Sequence, residues 1–281
     1  MNPKVKAIAG LAAAGLLLVG CNIFNPFDSP TSEAQLLSVA RACFDNGDFE
    51  CARENYGKLS GSFADVRNSE EAFLAVEQVG AGMGAFIAAF GADDVDAGRA
   101  ITSIANSVGA NATRANRVAL FAAYQKAAAV SDTRLKGLTR FVTSMALIAN
   151  MLSENAVSKG NLLKTDLAAN PTACTALGAG CVAAPSCGSS GNGVLLSTGA
   201  TVGGDGSLDG VTAADVDNAN ASIEIFNAAI TTINDSLSQM GATTTSADLG
   251  AFAGTFAALA IGGTPDSPCY RQALIDNEVG R

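Results

Sequence analysis

An all-α protein, a helical bundle or repeat-like array interrupted by a disulfide-stapled insert rich in glycine and serine, is what three features of this 281-residue chain predict. Apolar side chains recur at three- and four-residue steps through most of residues 32–165 and again from 212 onward, the period of helices that bury one face. Short polar breaks such as Asn46-Gly47-Asp48 punctuate those runs. Composition then shifts at Asn170, where prolines, cysteines, glycines and serines replace the periodic pattern up to residue 211.

The first element is a leader. Residues 7–19 form an apolar run of 13 behind Lys4 and Lys6, shorter than the roughly 20 residues that span a bilayer. A basic start, a short apolar stretch and small residues before a cut define a secretory signal. Its end, Leu18-Val19-Gly20-Cys21, resembles the lipobox of bacterial lipoproteins. The resemblance implies cleavage after residue 20 and lipid attachment to Cys21. Asn22 follows the cysteine where an aspartate would retain the protein, which by resemblance to the sorting pattern of enteric bacteria implies anchoring at the outer membrane. Residues 1–20 are thus expected to be a signal peptide and 21–31, with Pro26 and Pro30, a tether.

Helices are expected throughout residues 32–165. Leu36, Leu37, Val39, Ala40, Cys43 and Phe44 mark the first, and Ala52 and Tyr56 lie on one face of a second, at 49–59. The stretch Asn46 to Glu50 followed by Ala52, Tyr56 and Leu59 resembles the turn and second helix of a tetratricopeptide-type repeat, with Ala40 and Ala52 where that family places small residues. Closing proline and second copy are both missing, so the expectation is a helical hairpin that opens a larger helical body. Cys43 and Cys51 flank its turn, eight residues apart, and antiparallel helices would bring them together. A bridge there would contribute roughly 2 to 3 kcal/mol through the unfolded chain.

The nearly apolar stretch 69–90 predicts a buried central helix in which Gly80 and Gly84 let neighbours come close. Further helices are expected at about 94–107, 113–130 and 132–154, with Asp93 and Ser131 as N-caps. The insert, 166–211, carries Cys174, Cys181 and Cys187. With Cys269 these form a set of four whose pairing order stays open, and 194–202 is read as a short hairpin. In the last segment, 212–281, C-terminal helices pack on the same body. Thr212 and Asp215 form a capping-box-like start. Ile223, Phe226, Ile230, Ile233 and Leu237 make a stripe, and helices follow at 247–261 and 268–277.

Once the leader leaves, 261 residues remain with 15 basic and 26 acidic side chains, a net charge of −11. Such a surface repels nucleic acid and anionic headgroups, which excludes nucleic acid as a partner. Six cysteines besides Cys21, an even number, fit up to three disulfides in an exported chain. Zinc would need closer cysteine pairs or histidines, and the chain has no histidine.

Without histidine, Ser-His-Asp and Cys-His catalysis are excluded. Phosphate-binding, dinucleotide and nucleophile-elbow motifs are also missing from the sequence, so no enzyme and no cofactor are expected. Asp205, Ser207 and Asp209 begin like a calcium loop, with Gly210 at the sixth place. The resemblance to EF-hand loops breaks at the twelfth place, where Val216 stands instead of a carboxylate. A turn leading into a capped helix is the other reading. Asp93, Asp94 and Asp96 are read as first-turn carboxylates that stabilise a helix dipole.

These features point to an envelope-anchored interaction or structural component that docks a protein partner. The alternative is a helical lipoprotein of a transport system that encloses an apolar solute or lipid, lined by Phe73, Met83, Phe86 and Phe90.

Overall fold

The computed structural model describes residues 30–90, 97–154, 200, 202–217 and 223–241. These contain nine α-helices and three short 3-10 turns, and no strand is present among the described residues. The fold is all-α, as the periodicity predicts. No single described helix is long and apolar enough to cross a membrane.

The described residues 30–67 belong to one compact unit. Its first helix, α1 (Glu33–Asp45), starts at a reciprocal capping box in which Ser32 Oγ accepts from the Gln35 N–H and the Gln35 side chain accepts from the Ser32 N–H. The helix stops at Gly47, whose φ of 75° lies in the left-handed region. There the Gly47 and Asp48 N–H groups donate back to Phe44 and Cys43 at 2.9 Å, the Schellman closure of a helix C-terminus. Asp48 then caps α2 (Phe49–Gly57) by accepting from the Cys51 N–H at 3.1 Å. Ala40, Ala52 and Tyr56 are fully buried. Cys43 and Cys51 are joined in a disulfide, with Cα atoms 5.8 Å apart, as the antiparallel hairpin predicts. The Glu33 carboxylate accepts from the Ser60 N–H, tying the start of α1 to the end of the hairpin.

The second unit begins at residue 68. It contains most of α3 (Ala64–Gln78), then α4 (Met83–Phe90), α5 (Ala97–Val108), α6 (Arg114–Ala128), α7 (Thr133–Glu154), the single turn α8 (Ala213–Val216) and α9 (Ile223–Gln239). Every residue of α7 from Thr139 to Ser153 is buried, so this helix is the axis of the unit, with α5, α6 and α9 packed around it. Phe226, Ile230, Ile233 and Leu237 of α9 are buried in the core, as their spacing predicts. Between α7 and α9, a Cβ on Gly137 would lie 2.9 Å from the Ser236 carbonyl. Only glycine permits that approach.

Two expectations are corrected. The stretch 69–90 is two helices meeting at 76° rather than one buried central helix. Gly80 adopts φ 84°, its N–H donates to the Glu77 carbonyl, and the Ala81 N–H donates to Val76. That is the same closure seen at Gly47. Glycine here ends a helix, and it also lets a neighbour come close, because a Cβ on Gly80 would lie 3.0 Å from the Ser107 carbonyl. The cap of α7 is Asp132, not Ser131: Asp132 Oδ1 accepts from the Leu135 N–H at 2.8 Å, and a carboxylate one residue before the helix answers its positive end. Asp93, Asp94, Asp96, the hairpin at 194–202 apart from Ala200 and Val202, and the helices at 247–261 and 268–277 lie outside the described residues.

Candidate functional site

The most elaborate polar arrangement lies where the segment 202–217 crosses α6, α7 and α9. Its hydrogen bonds start from the segment itself. Gly203 and Gly210 close a tight loop through an N–H to carbonyl bond of 3.0 Å. Within it the Asp205 carboxylate accepts from the Ser207 N–H at 3.0 Å, and Ser207 Oγ accepts from the Asp209 N–H. Leu208 turns inward and is buried, and its N–H donates to Thr232 Oγ1 on α9 at 2.9 Å. The Thr212 and Asp215 capping box then forms as the sequence predicts.

Thus Asp205, Ser207 and Asp209 do share one loop, but their polar atoms are engaged differently from a calcium loop. Asp209 points to the helices: Oδ1 accepts from the Tyr124 hydroxyl at 2.5 Å and Oδ2 from the Arg140 guanidinium at 2.9 Å. Arg140 also donates to the Tyr124 hydroxyl at 2.9 Å and lies 5.5 Å from the ring centre. Each carboxylate oxygen therefore accepts one hydrogen bond from a helix while the side chain stays 51% exposed, and no three carboxylate or thiol groups converge to hold a metal among the described residues.

Electrostatics follow from this geometry. Burial and the hydrogen bond to Asp209 push the Tyr124 hydroxyl well above its ordinary value. Hydrogen bonds from Ser207 hold Asp205 below the usual carboxylate range. On α9, burial raises Asp235, and the nearby Asp205 and Asp209 charges add to the rise against the opposing pull of Arg140. Three carboxylates thus share the field of one guanidinium. The site is acidic and its one buried cation is already paired.

A second connection lies one end further along the same helix pair. Arg117 of α6 is fully buried, donates through Nε to the Val216 carbonyl at 3.0 Å and pairs with Glu154 of α7 at 2.5 Å. Arg114 donates to the Asp217 carboxylate at 2.8 Å. Because Arg117 meets Glu154 while Tyr124 meets Arg140, α6 and α7 run antiparallel. Arg114, Arg117, Tyr124, Arg140 and Glu154 were not singled out by the sequence reading. The available signal was phase: Arg117 and Tyr124 stand on the same helical face as Leu120 and Phe121, where a charge needs a partner.

The remaining expected sites divide between observed and undescribed. The Cys43–Cys51 bridge is present. Cys21, Cys174, Cys181, Cys187 and Cys269 lie outside the described residues. The four aromatic and methionine side chains expected to line a ligand cavity do not share one surface. Phe86 and Phe90 pack into the core, Phe90 with its ring 6.2 Å from that of Phe141, whereas Met83 is 62% exposed.

Chemically, this arrangement positions a segment on a helical body through one guanidinium, one phenol and the loop's carboxylates. No protein-family model matches the chain, and no curated protein or solved structure matches it.

Proposed function

We propose that the chain is a helical lipoprotein anchored by Cys21 to the outer membrane, where it serves as a protein-interaction or structural component rather than an enzyme. The single observation that carries the interaction reading is the incomplete burial of the α1/α2 hairpin. Its small residues Ala40 and Ala52 are sealed between the helices, yet Leu36, Leu37, Val39, Phe44 and Phe49 remain partly exposed. A lone tetratricopeptide-like hairpin cannot cover its own apolar face, and stacking against a further helix or extended segment would cover it. Export is supported by the leader, by Leu18-Val19-Gly20-Cys21 and by the Cys43–Cys51 bridge, since cystines persist outside the reducing cytoplasm.

A photo-crosslinking residue placed at Leu36 or Phe44 in the native host tests the docking. The expected result is one recurrent envelope-protein adduct at these two positions and none from the exposed Arg134. Equal adducts at all three, or none, would remove the reading. Intact mass of the same material tests the anchor: a diacylglyceryl-modified chain beginning at Cys21 is expected, and an unmodified start refutes it.

A further inference from the structure

We propose that the Cys43–Cys51 cystine is a thiol–disulfide exchange site, which takes two electrons from a dithiol in neutral or cationic surroundings and can return them. Structural cystines resist reduction, whereas exposed ones are the labile and catalytic kind. Both cysteines are partly exposed at the turn of the first hairpin. Their sulfurs are also electrostatically unequal. Cys43 lies in the last turn of α1 and Cys51 in the first turn of α2, and the carbonyl end of a helix disfavours a thiolate while the N–H end favours one. Asp48 accepts from the Cys51 N–H and offsets part of that helix-end effect. The buried Asn55 restores the difference at the sulfur itself, because its Nδ2 donates to Cys51 Sγ at 3.6 Å as well as to the Cys51 carbonyl at 2.9 Å.

This asymmetry orders the reaction. A thiolate of the dithiol attacks Cys43 Sγ, a new sulfur–sulfur bond forms there, and the Cys43–Cys51 bond breaks with Cys51 leaving as the better-stabilised thiolate. The second thiolate of the dithiol then attacks its own partner sulfur in the mixed disulfide, and Cys43 leaves. The dithiol is oxidised to a disulfide, the cystine is reduced, and the two protons given up by the dithiol end on Cys43 and Cys51. Reduction leaves the other ties of the hairpin in place: the Gly47 and Asp48 N–H groups close α1, Asp48 caps α2 and Glu33 holds Ser60. With Cα atoms 5.8 Å apart, the thiols stay within bridging distance, and the reverse reaction with a disulfide restores the cystine. Charge selects the reactant. Exposed Asp45, Asp48 and Glu50 outnumber Arg41 and Arg53 around the turn, which disfavours an anionic thiol.

The test uses the full mature chain with Cys21→Ser, reduced without denaturant by dithiothreitol and quenched by alkylation, so that peptide mass reads Cys43 and Cys51 apart from the other cysteines. The bridge is expected to open in the folded chain, and to open at least about threefold more slowly in Asn55→Ala. An amide with a purely structural role gives the opposite sign, since a loosened hairpin opens faster. At mildly acidic pH, alkylation of Cys51 in Cys43→Ser should outpace that of Cys43 in Cys51→Ser by at least about fivefold. At equal thiolate concentration, cationic cysteamine should react faster than anionic mercaptoethanesulfonate, and high salt should close the gap. A bridge that resists dithiothreitol, faster opening in Asn55→Ala, a Cys51 thiol no more reactive than Cys43, or equal rates for the two charged thiols overturns the proposal. None of these readouts depends on the lipid anchor, whose failure would appear only in the mass of the native chain.

Discussion

Arg117 on α6 and Glu154 at the end of α7 form an ion pair 2.5 Å across, in which the guanidinium is 0% exposed and the carboxylate side chain 10% exposed. Burial pulls the Arg117 guanidinium below its ordinary value, and the Glu154 charge is the main force that opposes this. Arg117 also donates to the Val216 carbonyl. One buried cation therefore joins α6, α7 and the segment that carries the acidic loop.

Removing one partner leaves the other charge without compensation in a site that water does not reach. Glu154→Ala is expected to lower stability by about 3 to 5 kcal/mol, whereas Arg117→Met combined with Glu154→Leu should recover most of that loss. Urea unfolding of the three proteins measures both. Equal stability of Glu154→Ala and the native chain would show that the pair contributes nothing.

The Cys43–Cys51 bridge closes a loop of eight residues across the turn of the first hairpin. Its loss should cost about 2.5 kcal/mol, mostly through the freed unfolded chain. Because that hairpin belongs to a unit separate from the one built on α7, reduction should raise hydrogen exchange in α1 and α2 and leave α7 protected. Uniform loss of protection would contradict this division.

Asp235 gives a pH signature of defined sign. Its folded-state value is raised by burial and by the neighbouring carboxylates, so the folded protein binds the proton more tightly than the unfolded chain. Its contribution to stability therefore falls as pH rises from the ordinary carboxylate range through the raised value. Asp235→Asn removes this slope. Thermal melts should show the variant more stable than the native chain near neutral pH, the difference vanishing on acidification toward the ordinary value of 3.8. A difference that grows on acidification would reverse the assignment.

Asn150 lies fully buried toward the C-terminal end of α7, and its carboxamide oxygen and nitrogen make no hydrogen bond. A polar group without a partner in such surroundings costs about 1 to 3 kcal/mol. Asn150→Leu, which keeps the number and branching of the side-chain heavy atoms, should raise the denaturation midpoint with an unchanged slope. A fall of the midpoint would mean that the amide is satisfied in solution.

Local signals were legible in the sequence and distant ones were not. The Ser32 and Thr212 capping boxes, the hairpin with its cysteine pair and the stripe of α9 each arise from neighbours within a few turns, where spacing carries the information. Arg117 and Glu154 are 37 residues apart, and Arg140 and Asp209 are 69 apart. Nothing in the spacing of either pair distinguishes a partnered buried arginine from a solvated one. Likewise Asp209 resembled a calcium ligand because its loop has the right first half, yet the hydrogen-bond donors that occupy it come from α6 and α7. The outward turn of Met83 and Ile87, both exposed, was hidden for a different reason: a continuous apolar run has no phase until the break at Gly80 sets one.

That break separates the roles of two glycines spaced as if they formed a single packing motif. At Gly80 the left-handed φ of 84° is unfavourable for any side chain, and a Cβ would also lie 3.0 Å from the Ser107 carbonyl. Gly80→Ala is therefore expected to destabilise by about 1 to 2 kcal/mol. Gly84 lies inside α4 with nothing within 4 Å of an added Cβ. There alanine improves helix propensity, and Gly84→Ala should stabilise by about 0.5 to 1 kcal/mol. Denaturant midpoints of the two variants thus move in opposite directions. Were both to fall, Gly84 would have a close neighbour in solution, and the outward face of α4 would already be covered.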